Sequence, residues 1–521
     1  MPHHPTLPLA LAGVATAALL SAAVAGSAAP PAARTAAGCA TPTTSALVNP
    51  PDSFSHGGVM KLRLAMRPGP APSAGGAVTS NLYNGLYAPP TLRMNPGDSV
   101  DMWVVNQMQA NAAQTGSQVD TTNHHYHGFV ATPQPFRAVF GADTSSGDNV
   151  TNRHIAAGDS IRYGLRIPGD HAQGTFWYHP HPHGNTDPQV SGGLAGAIVV
   201  GQIQKLFPEY TVATERVMLI KDLNQNGDYS INGVRCPVIQ VVQGQQQLWH
   251  VLNATAEDFL NVKLQNLSFM VLAYDGNPVP TPVAADSLVL APGSRADVIV
   301  IGGTPGYRKL YSDSASNPAN FTGPTLGWVF TGPALPLPIP VGKPTVNQAL
   351  IDSMTKLRTA AVAQHRTWRY DVHDNGNVYS FNDTVYSPTR LDYAIAVGEV
   401  QEDTLINETD EFHSFHLHQT DMLVTSINGR APVNLVYRDN IFVGTHTIPT
   451  AGGGTQVVGD TVVLRFKFVP LAVGPFVFHC HQLFHEDSGM MRNVCVYDPN
   501  DPKSRTACNT FFPGSGANAG H

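Results

Sequence analysis

Charged residues are scarce in this sequence of 521 residues. Only 13% of the positions are Asp, Glu, Lys or Arg, and the formal net charge at pH 7 is −7. The basic residues form no run that would suit nucleic acid or an anionic membrane surface. We therefore expect no nucleic-acid partner.

Long apolar runs are equally scarce: there is one, and it lies at the N-terminus. It reads LPLALAGVATAALLSAAVAGSAA and contains small residues that suit a signal peptidase, such as Ala23-x-Ala25. We predict a signal peptide over residues 1–28, although no Lys or Arg precedes Arg34 to give the usual positive start. A retained membrane anchor is the alternative, but an alanine-rich run makes a weak span. After cleavage we expect no membrane span, and a secreted or periplasmic protein.

Cysteine is rare as well, with five in the chain. If one of them binds a metal, the remaining four are an even number, which suits disulfides in an oxidising compartment. Cys495 and Cys508 are close enough in sequence to close a short loop. Cys39 and Cys236 would then be left as a second pair, an assignment that follows only by elimination.

Glycine and proline are abundant, with 48 and 42 residues, which favours strands and turns over long helices. Three stretches repeat one pattern, in which an Asn turn and a proline precede two strands that a glycine turn separates. The glycine and the final asparagine are nine residues apart each time: Gly97 to Asn106, Gly244 to Asn253 and Gly398 to Asn407. The copies recur at roughly the length of one domain, so we predict a triplicated all-β fold built from β-sandwiches.

Histidines are concentrated in four His-x-His pairs. Residues two apart on a strand point to the same side, so each pair presents two imidazoles to one point. Eight imidazoles are too many for one ion and predict a cluster of metals. The pairs are His125 and His127, His179 and His181, His416 and His418, and His479 and His481.

A second metal site follows from the same alternation. Cys480 lies between His479 and His481, so its sulfur points away from the face that the two imidazoles share. His413 has the same opposite parity relative to the pair that begins at residue 416. Two histidines, a cysteine and a distant methionine are the donor set of a blue electron-transfer copper. This second set is His413, Cys480, His485 and Met490.

Taken together, these segments resemble the multicopper oxidases, in particular the bacterial, laccase-like type with three cupredoxin domains. The resemblance covers about residues 45–500 and implies four copper ions: one type 1, one type 2 and two type 3. It implies that His413, Cys480, His485 and Met490 bind the type 1 copper, and that His125 and His416 bind the type 2 copper. The type 3 ligands would be His127, His179 and His481 on one ion, and His181, His418 and His479 on the other.

The same resemblance implies the domain organisation. We expect three cupredoxin-like Greek-key β-sandwich domains over residues 45–204, 205–345 and 346–510, with the type 1 copper in the third. The proline-rich stretch at 333–344 suits the boundary between the second and third domains. The stretch LAPGSRADVIV, residues 290–300, resembles the second domain of the family, which is typically a copper-free spacer.

The function implied by the resemblance is a laccase-like oxidation. A phenol or aromatic amine would lose single electrons at the type 1 copper, and O₂ would be reduced to water at the three-copper cluster. A metallo-oxidase for Cu(I), Fe(II) or Mn(II) is the alternative, because it uses the same copper sites. A copper-free division-associated relative is disfavoured, since no ligand is missing, and so is a two-domain nitrite reductase. We expect a monomer.

Two residues carry further expectations about catalysis. Cys480 would connect the type 1 site to the cluster through its neighbouring histidines. Glu486 follows His485 and lies five residues after His481, so it is placed to supply protons to the cluster. The alternative is that Glu486 orients a ligand histidine through a hydrogen bond. Asp487 is the next candidate for the proton donor.

Overall fold

The structure is a computed structural model. The predicted signal peptide, residues 1–28, lies outside the residues it describes, and so does most of the proline-rich stretch at 333–344. Within the described residues, no helix has both the length and the apolar character needed to cross a membrane. The described residues are 39–109, 121–133, 146–151, 153–227, 229–313, 323–333, 342–450 and 453–512.

The fold is nearly all β, with 49% of residues in strands and 10% in helices. Six large sheets pair into three Greek-key β-sandwiches of the cupredoxin type, which confirms the predicted fold class. Strand alternation explains the pairing. Along residues 401–407, for example, Asp403 and Leu405 face the core while Thr404 is partly exposed. The domain limits predicted from the sequence stay a prediction, and the strands of each sandwich fall inside them.

The first sandwich packs a five-stranded sheet, in the order β1-β4-β9-β8-β6, on a four-stranded sheet, β3-β2-β5-β7. Met102 and Tyr163 of one sheet share an apolar core with Phe176 and Ile198 of the other. Its strands are β1 (Asp52–Phe54), β2 (Val59–Ser73), β3 (Gly76–Tyr83), β4 (Thr91–Met94), β5 (Ser99–Asn106), β6 (His125–His127), β7 (Ser160–Arg166), β8 (Gly174–His179) and β9 (Gly196–Val200).

The second sandwich packs the sheet β11-β10-β13-β18-β15-β16 on the sheet β12-β20-β19-β14-β17. Trp249 and Val298 of the first sheet pack in one core with Val262 and Val329 of the second. Its strands are β10 (Val212–Asp222), β11 (Tyr229–Ile231), β12 (Val238–Val242), β13 (Gln246–Asn253), β14 (Leu260–Leu264), β15 (Phe269–Tyr274), β16 (Asn277–Ala285), β17 (Leu288–Leu290), β18 (Arg295–Ile301), β19 (Gly306–Ser312) and β20 (Thr325–Gly332).

The third sandwich packs the sheet β22-β21-β24-β31-β26-β27 on the sheet β23-β33-β32-β25-β28, and a separate hairpin joins β29 to β30. Its core contains Cys480 and Met490 beside Phe415 and Phe478. Its strands are β21 (Gln364–His373), β22 (Val378–Phe381), β23 (Tyr393–Ala396), β24 (Gln401–Asn407), β25 (His413–Leu417), β26 (Met422–Ile427), β27 (Tyr437–Arg438), β28 (Asn440–Val443), β29 (Thr445–Pro449), β30 (Thr455–Gly459), β31 (Thr461–Phe466), β32 (Gly474–His479) and β33 (Met491–Tyr497).

The helices of the described residues are short. The longest, α2, begins after Asn347, whose side chain accepts a hydrogen bond from the Leu350 amide and so caps the first turn. The α-helices are α1 (Thr186–Ser191), α2 (Gln348–Thr359), α3 (Leu483–Asp487) and α4 (Pro502–Phe511), and the 3₁₀ turns are Ile203–Leu206, Leu223–Gln225, Asp374–Gly376 and Pro470–Ala472.

The sequence repeat corresponds to one structural unit in each sandwich. The repeated glycines all adopt positive φ angles, from +77° to +87°, two or three residues before β5, β13 and β24 begin. Each of these strands ends at the repeated asparagine and pairs in parallel with the first long strand of its own sandwich. The predicted triplication is therefore confirmed by the equivalent position of all three copies.

The disulfides follow the pairing that the cysteine count suggested. Cys39 is bonded to Cys236, and Cys495 is bonded to Cys508. Cys480 is the free cysteine, and it is fully buried. The thiol needed for a metal site is thus kept out of the disulfides.

Candidate metal centre

Strand register brings the histidine pairs together. In the first sandwich β6 pairs with β8, with His125 opposite His179. In the third sandwich β25 pairs with β32, with His416 opposite His479. One histidine of each pair therefore lies opposite a histidine of the neighbouring pair, while His181, His418 and His481 follow one or two residues after β8, β25 and β32 end.

The two sheets bring all eight imidazoles into one buried group, which we call the eight-histidine cluster. His479 Nε2 lies 3.0 Å from His181 Nε2 and 3.2 Å from His418 Nε2. His127 Nδ1 lies 3.2 Å from His481 Nε2. Three of these histidines, His181, His418 and His479, form one of several groups whose ligand atoms lie within 4.8 Å of one another. The same three were assigned from the sequence to one type 3 copper.

Unpaired ring nitrogens in this cluster fit a set of bound metals. Hydrogen bonds hold the Nδ1 atoms of three rings: His125 to Asp148 Oδ1 at 3.0 Å, His179 to the Pro180 carbonyl at 2.9 Å, and His416 to the Asp439 carbonyl at 2.8 Å. A buried polar atom without a partner costs about 1–3 kcal/mol, and metal coordination would supply that partner. The buried ring nitrogens without a hydrogen-bond partner are His125 Nε2, His179 Nε2, His416 Nε2, His418 Nδ1 and His481 Nδ1.

Burial favours the neutral form, which is the form that binds a metal, in seven imidazoles of the cluster: His125, His127, His179, His181, His416, His418 and His481. Desolvation lowers the pKa of His125 well below its ordinary value, and the neighbouring histidines lower it further. Burial likewise lowers the pKa of His181 to about 4, although Glu486 opposes the shift. These seven rings are therefore in the form that binds a metal at neutral pH.

The predicted type 1 set lies on the other side of Cys480. Its sulfur is 3.7 Å from His413 Nδ1 and 3.8 Å from His485 Nδ1, and these two nitrogens are 3.3 Å apart. His479 and His481, the neighbours of Cys480, both belong to the eight-histidine cluster. The structure thus brings the two sets to opposite sides of Cys480, as the alternation along the strand predicts.

The outer nitrogens of the type 1 histidines are also held. Thr409 Oγ1 lies 2.8 Å from His413 Nε2, and the Thr409 hydroxyl donates to Asn407, the asparagine of the repeat. His485 Nε2 lies 3.6 Å from Glu411 Oε2. In both rings this leaves Nδ1 directed toward the sulfur.

Cys480 and Met490 are the other two residues of the predicted type 1 set. Burial raises the pKa of the Cys480 thiol to about 12, so a bound cation is needed to ionise it at neutral pH. The Met490 carbonyl accepts a hydrogen bond from the Cys480 amide at 3.1 Å, and the Met490 side chain is fully buried in the same apolar core. The loop between α3 and β33 therefore places Met490 next to Cys480.

Glu486 lies directly against the eight-histidine cluster. Its carboxylate oxygens are 3.3 Å from His181 Nδ1 and 3.0 Å from His479 Nδ1, and Thr186 donates to it at 3.0 Å. Burial alone raises the pKa of Glu486, but His181 and His479 outweigh it and lower the pKa to about 2. Both histidines were assigned from the sequence to the same type 3 copper.

Asp487 lies one residue further along α3 and contacts main-chain groups. It accepts hydrogen bonds from the amides of Gly184 at 2.7 Å and Asp187 at 2.8 Å. Burial and the charge of Glu486 raise the pKa of Asp487 well above its ordinary value. Asp487 thereby attaches α3 of the third sandwich to the loop that follows His181 and His183.

Three further residues, which no sequence motif marks, contact or support the cluster. Asp148 holds His125, and burial raises the pKa of its carboxyl to about 7. Asp439 Oδ1 lies 3.2 Å from His127 Nε2. Arg295 donates to Asp439 through both of its terminal nitrogens. No spacing pattern marks these residues, because each reaches the cluster from an element distant in sequence.

The outer face of His485 is lined by aromatic, apolar and acidic side chains. The Tyr379 ring stacks on the His485 ring with centroids 3.7 Å apart, and its hydroxyl donates to Glu411 at 3.3 Å. His485 itself is only 4% exposed, whereas Phe484 is 43% and Val385 is 46% exposed. The surface beside Tyr379 therefore combines the exposed apolar ring of Phe484 with the carboxylate of Glu411.

A cavity of about 200 Å³ reaches the cluster from another direction. It is lined by the type 3 candidate His181 together with His183, His154 and Tyr386, and by apolar residues that include Val477. A small neutral molecule in this cavity would contact His181 directly.

The sequence matches models and curated members of one protein family. Three family models, each described as multicopper oxidase, match residues 67–205, 175–317 and 353–500. A curated relative, the multicopper oxidase mco of Staphylococcus haemolyticus, is 23% identical over 437 residues. That alignment spans 80% of this chain and 83% of the relative.

Two solved structures are similar in fold. One is a multicopper oxidase from Campylobacter jejuni described as a metallo-oxidase, with a TM-score of 0.65, 23% identity, and coverage of 87% of this chain and 96% of that one. The other is the laccase-like multicopper oxidase CueO from Ochrobactrum sp., described with activity towards lignin model compounds and lignosulfonate. Its TM-score is 0.65 at 20% identity, with coverage of 87% of this chain and 100% of that one.

Proposed function

The chain belongs to the multicopper oxidase family, and from this premise we propose that it is a laccase-like oxidase of phenols and aromatic amines that reduces O₂ to water. The observation that carries this proposal is the position of Cys480. Its sulfur faces His413 and His485, while both of its neighbours in sequence belong to the eight-histidine cluster.

Four coppers would be held by the residues assigned from the sequence. His413, Cys480, His485 and Met490 would hold the type 1 ion, and His125 and His416 the type 2 ion. His127, His179, His481, His181, His418 and His479 would hold the type 3 pair. When bound, the coppers supply one-electron oxidation of the reductant at one site and four-electron reduction of O₂ to two waters at the other.

The protein supplies placement and connection. The main chain from His479 through Cys480 to His481 joins the two candidate sites by covalent bonds alone. Thr409, Asp148 and main-chain carbonyls hold the outer nitrogens of several ligand rings, which fixes ring orientation before any metal binds.

The surface around His485 supports an aromatic reductant. Phe484 and Val385 offer exposed apolar area for a ring, and Glu411 offers a carboxylate that can accept a hydrogen bond from a phenolic hydroxyl or an aromatic amine. The same carboxylate is an oxygen donor for Fe(II) or Mn(II), and the similar protein from Campylobacter jejuni is described as a metallo-oxidase. Metal-ion oxidation therefore remains the second candidate.

Replacing Phe484 separates the two candidates. For an organic oxidase, Phe484→Ala should raise the KM for a methoxyphenol several-fold and leave the rate of Fe(II) oxidation unchanged, since only the phenol packs on the ring. Val433→Ala, which removes an exposed apolar side chain from the loop between β26 and β27, is the matched control. An unchanged phenol KM, together with Fe(II) oxidation that Glu411→Gln lowers more than tenfold, would favour the metallo-oxidase.

In this proposal, both the proton carrier Glu486 and the route for O₂ adjoin His181. We propose that Glu486, a carboxylate at neutral pH, takes up protons and passes them to the cluster, and its contacts with His181 and His479 equally suit the alternative, in which it orients those rings. The cavity that reaches His181 is a route for O₂.

The two disulfides support a secreted or periplasmic protein. We also propose that the protein acts as a monomer.

A further inference from the structure

The second sandwich, which the family resemblance describes as a copper-free spacer, touches the eight-histidine cluster. The loop before β18 contains Gly293, whose φ is +82°. A Cβ added at Gly293 would lie 2.9 Å from two atoms of the His481 ring. On the same loop, Pro292 accepts a hydrogen bond from the Asn440 side chain at 2.7 Å. This loop of the second sandwich therefore packs against the third sandwich at two points, the His481 ring and the Asn440 side chain.

Arg295 extends this contact into the space between all three sandwiches. Its side chain is fully buried and donates to both oxygens of Asp439, at 2.7 Å and 2.5 Å. Its Nε donates to the Thr175 carbonyl of the first sandwich at 3.0 Å. Gly128, which follows the ligand His127, leaves no room for a side chain, because an added Cβ would overlap Asp439 and Arg295. A bidentate arginine fixes the plane of the carboxylate that it binds.

Asp439 in turn contacts two cluster histidines. Its Oδ1 lies 3.2 Å from His127 Nε2, and its main-chain carbonyl lies 2.8 Å from His416 Nδ1. With Nε2–H of His127 donating to the carboxylate, Nδ1 is the nitrogen that faces the cluster, 3.2 Å from His481 Nε2. His125, His179 and His416 are held the opposite way, by Nδ1, with Nε2 unpaired.

We propose that Arg295 and Asp439 are positioning residues through which the second sandwich orients the rings of His127 and His416 and holds the three sandwiches in register around the cluster. This inference rests on the proposed copper site. The spacer is thus a working part of the cluster, although it contributes no ligand.

Asp439→Asn tests the proposal, because the amide keeps the size of the carboxylate but presents donor groups to Arg295. In copper-loaded protein, this variant should bind cluster copper 10- to 100-fold more weakly in competition with a chelator. Its type 2 electron paramagnetic resonance signal should change, while the visible band that depends on Cys480 keeps its wild-type intensity. Arg295→Lys keeps the positive charge beside Asp439 but not the two-point contact. Its copper affinity should therefore lie between those of the wild type and Asp439→Asn.

Asp421→Asn is the matched control. Asp421 also bridges the second and third sandwiches, through a 2.7 Å hydrogen bond from Asn277. It should leave the copper affinity and both spectra unchanged. Wild-type copper affinity and an unchanged type 2 signal in Asp439→Asn would overturn the proposal, and so would an equal loss in Asp421→Asn. If Asp439→Asn does not fold, the same comparison is made with Arg295→Lys. A wild-type protein that binds no cluster copper would instead refute the proposed function.

Discussion

Cys480 belongs to both candidate sites. Its side chain lies against His413 and His485, and its main chain joins His479 to His481. Replacing it with serine removes the thiolate that a blue copper requires but keeps the main-chain link between His479 and His481. Cys480→Ser should therefore lose the intense visible band while the cluster still binds part of its copper. Absorption spectra and copper analysis of the purified variant measure both quantities. A variant that keeps the band would exclude Cys480 as the type 1 ligand.

Met490 is expected to set the potential of the type 1 site. A thioether donates weakly to Cu(II), so replacing it with leucine should destabilise the oxidised ion relative to the reduced one. Met490→Leu should raise the type 1 potential and extend activity to phenols that are harder to oxidise. A redox titration followed by the visible band checks this. Met491→Leu, the same change at the next position along the chain, should leave the potential as it is. An unchanged potential in Met490→Leu would rule out Met490 as the axial ligand.

Glu486 offers a kinetic test of its two possible roles. Glu486→Gln keeps the size and hydrogen-bonding capacity of the side chain but removes its ability to deliver a proton. If Glu486 is the donor, reoxidation of the reduced enzyme by O₂ should slow at least tenfold, with normal reduction of the type 1 site. Rapid mixing across pH measures both steps. Reoxidation at the wild-type rate would leave only the orienting role and would make Asp487 the next candidate for the donor.

At the scale of single elements, the period of a strand made much of the site predictable. The spacing of the His-x-His pairs predicted both rings on one side and Cys480 on the other, although only His125 and His127 both lie within a strand. The same logic could not find Asp148, Asp439 or Arg295, because their contacts come from folding distant elements together. Asp439 immediately precedes β28, and Arg295 is the first residue of β18.

A buried histidine between two carboxylates in the second sandwich should make the stability of the protein depend on pH. His250 of β13 is buried between Asp297 of β18, at 2.5 Å, and Glu215 of β10, at 3.1 Å. Burial alone would lower the pKa of His250, but the charges and hydrogen bonds of these two residues raise it to about 9. A folded-state pKa above the unfolded value of about 6.5 stabilises the fold fully below pH 6.5, and this stabilisation is lost as pH rises through 9.

The expected size of this effect is up to about 3 kcal/mol in the free energy of unfolding. Between pH 6 and pH 9.5, the wild type should lose that much more stability than His250→Gln does, as measured by denaturant titration. His365→Gln, which changes an exposed histidine beside Glu402, is the control and should follow the wild type. Equal pH slopes for the wild type and His250→Gln would show that the charged network contributes nothing.

At the scale of the whole molecule, three copies of one sandwich serve different purposes. The first and third supply the histidine pairs, and the second holds Arg295 and Gly293 against them. The spacing of Gly97, Gly244 and Gly398 was enough to predict the triplication, because a left-handed glycine turn must precede the same strand in each copy. The surface around His485 was not predictable. Tyr379, Val385 and Phe484 come from separate loops and strands that meet only in the folded protein.

The central claim is that one chain holds a blue copper and a three-copper cluster on opposite sides of Cys480. The most direct test is the copper content and visible spectrum of the copper-loaded wild-type protein. The claim predicts four coppers per chain and an intense blue band that disappears on reduction and returns with O₂. Fewer than four coppers after full loading, or four coppers without the blue band, would contradict it.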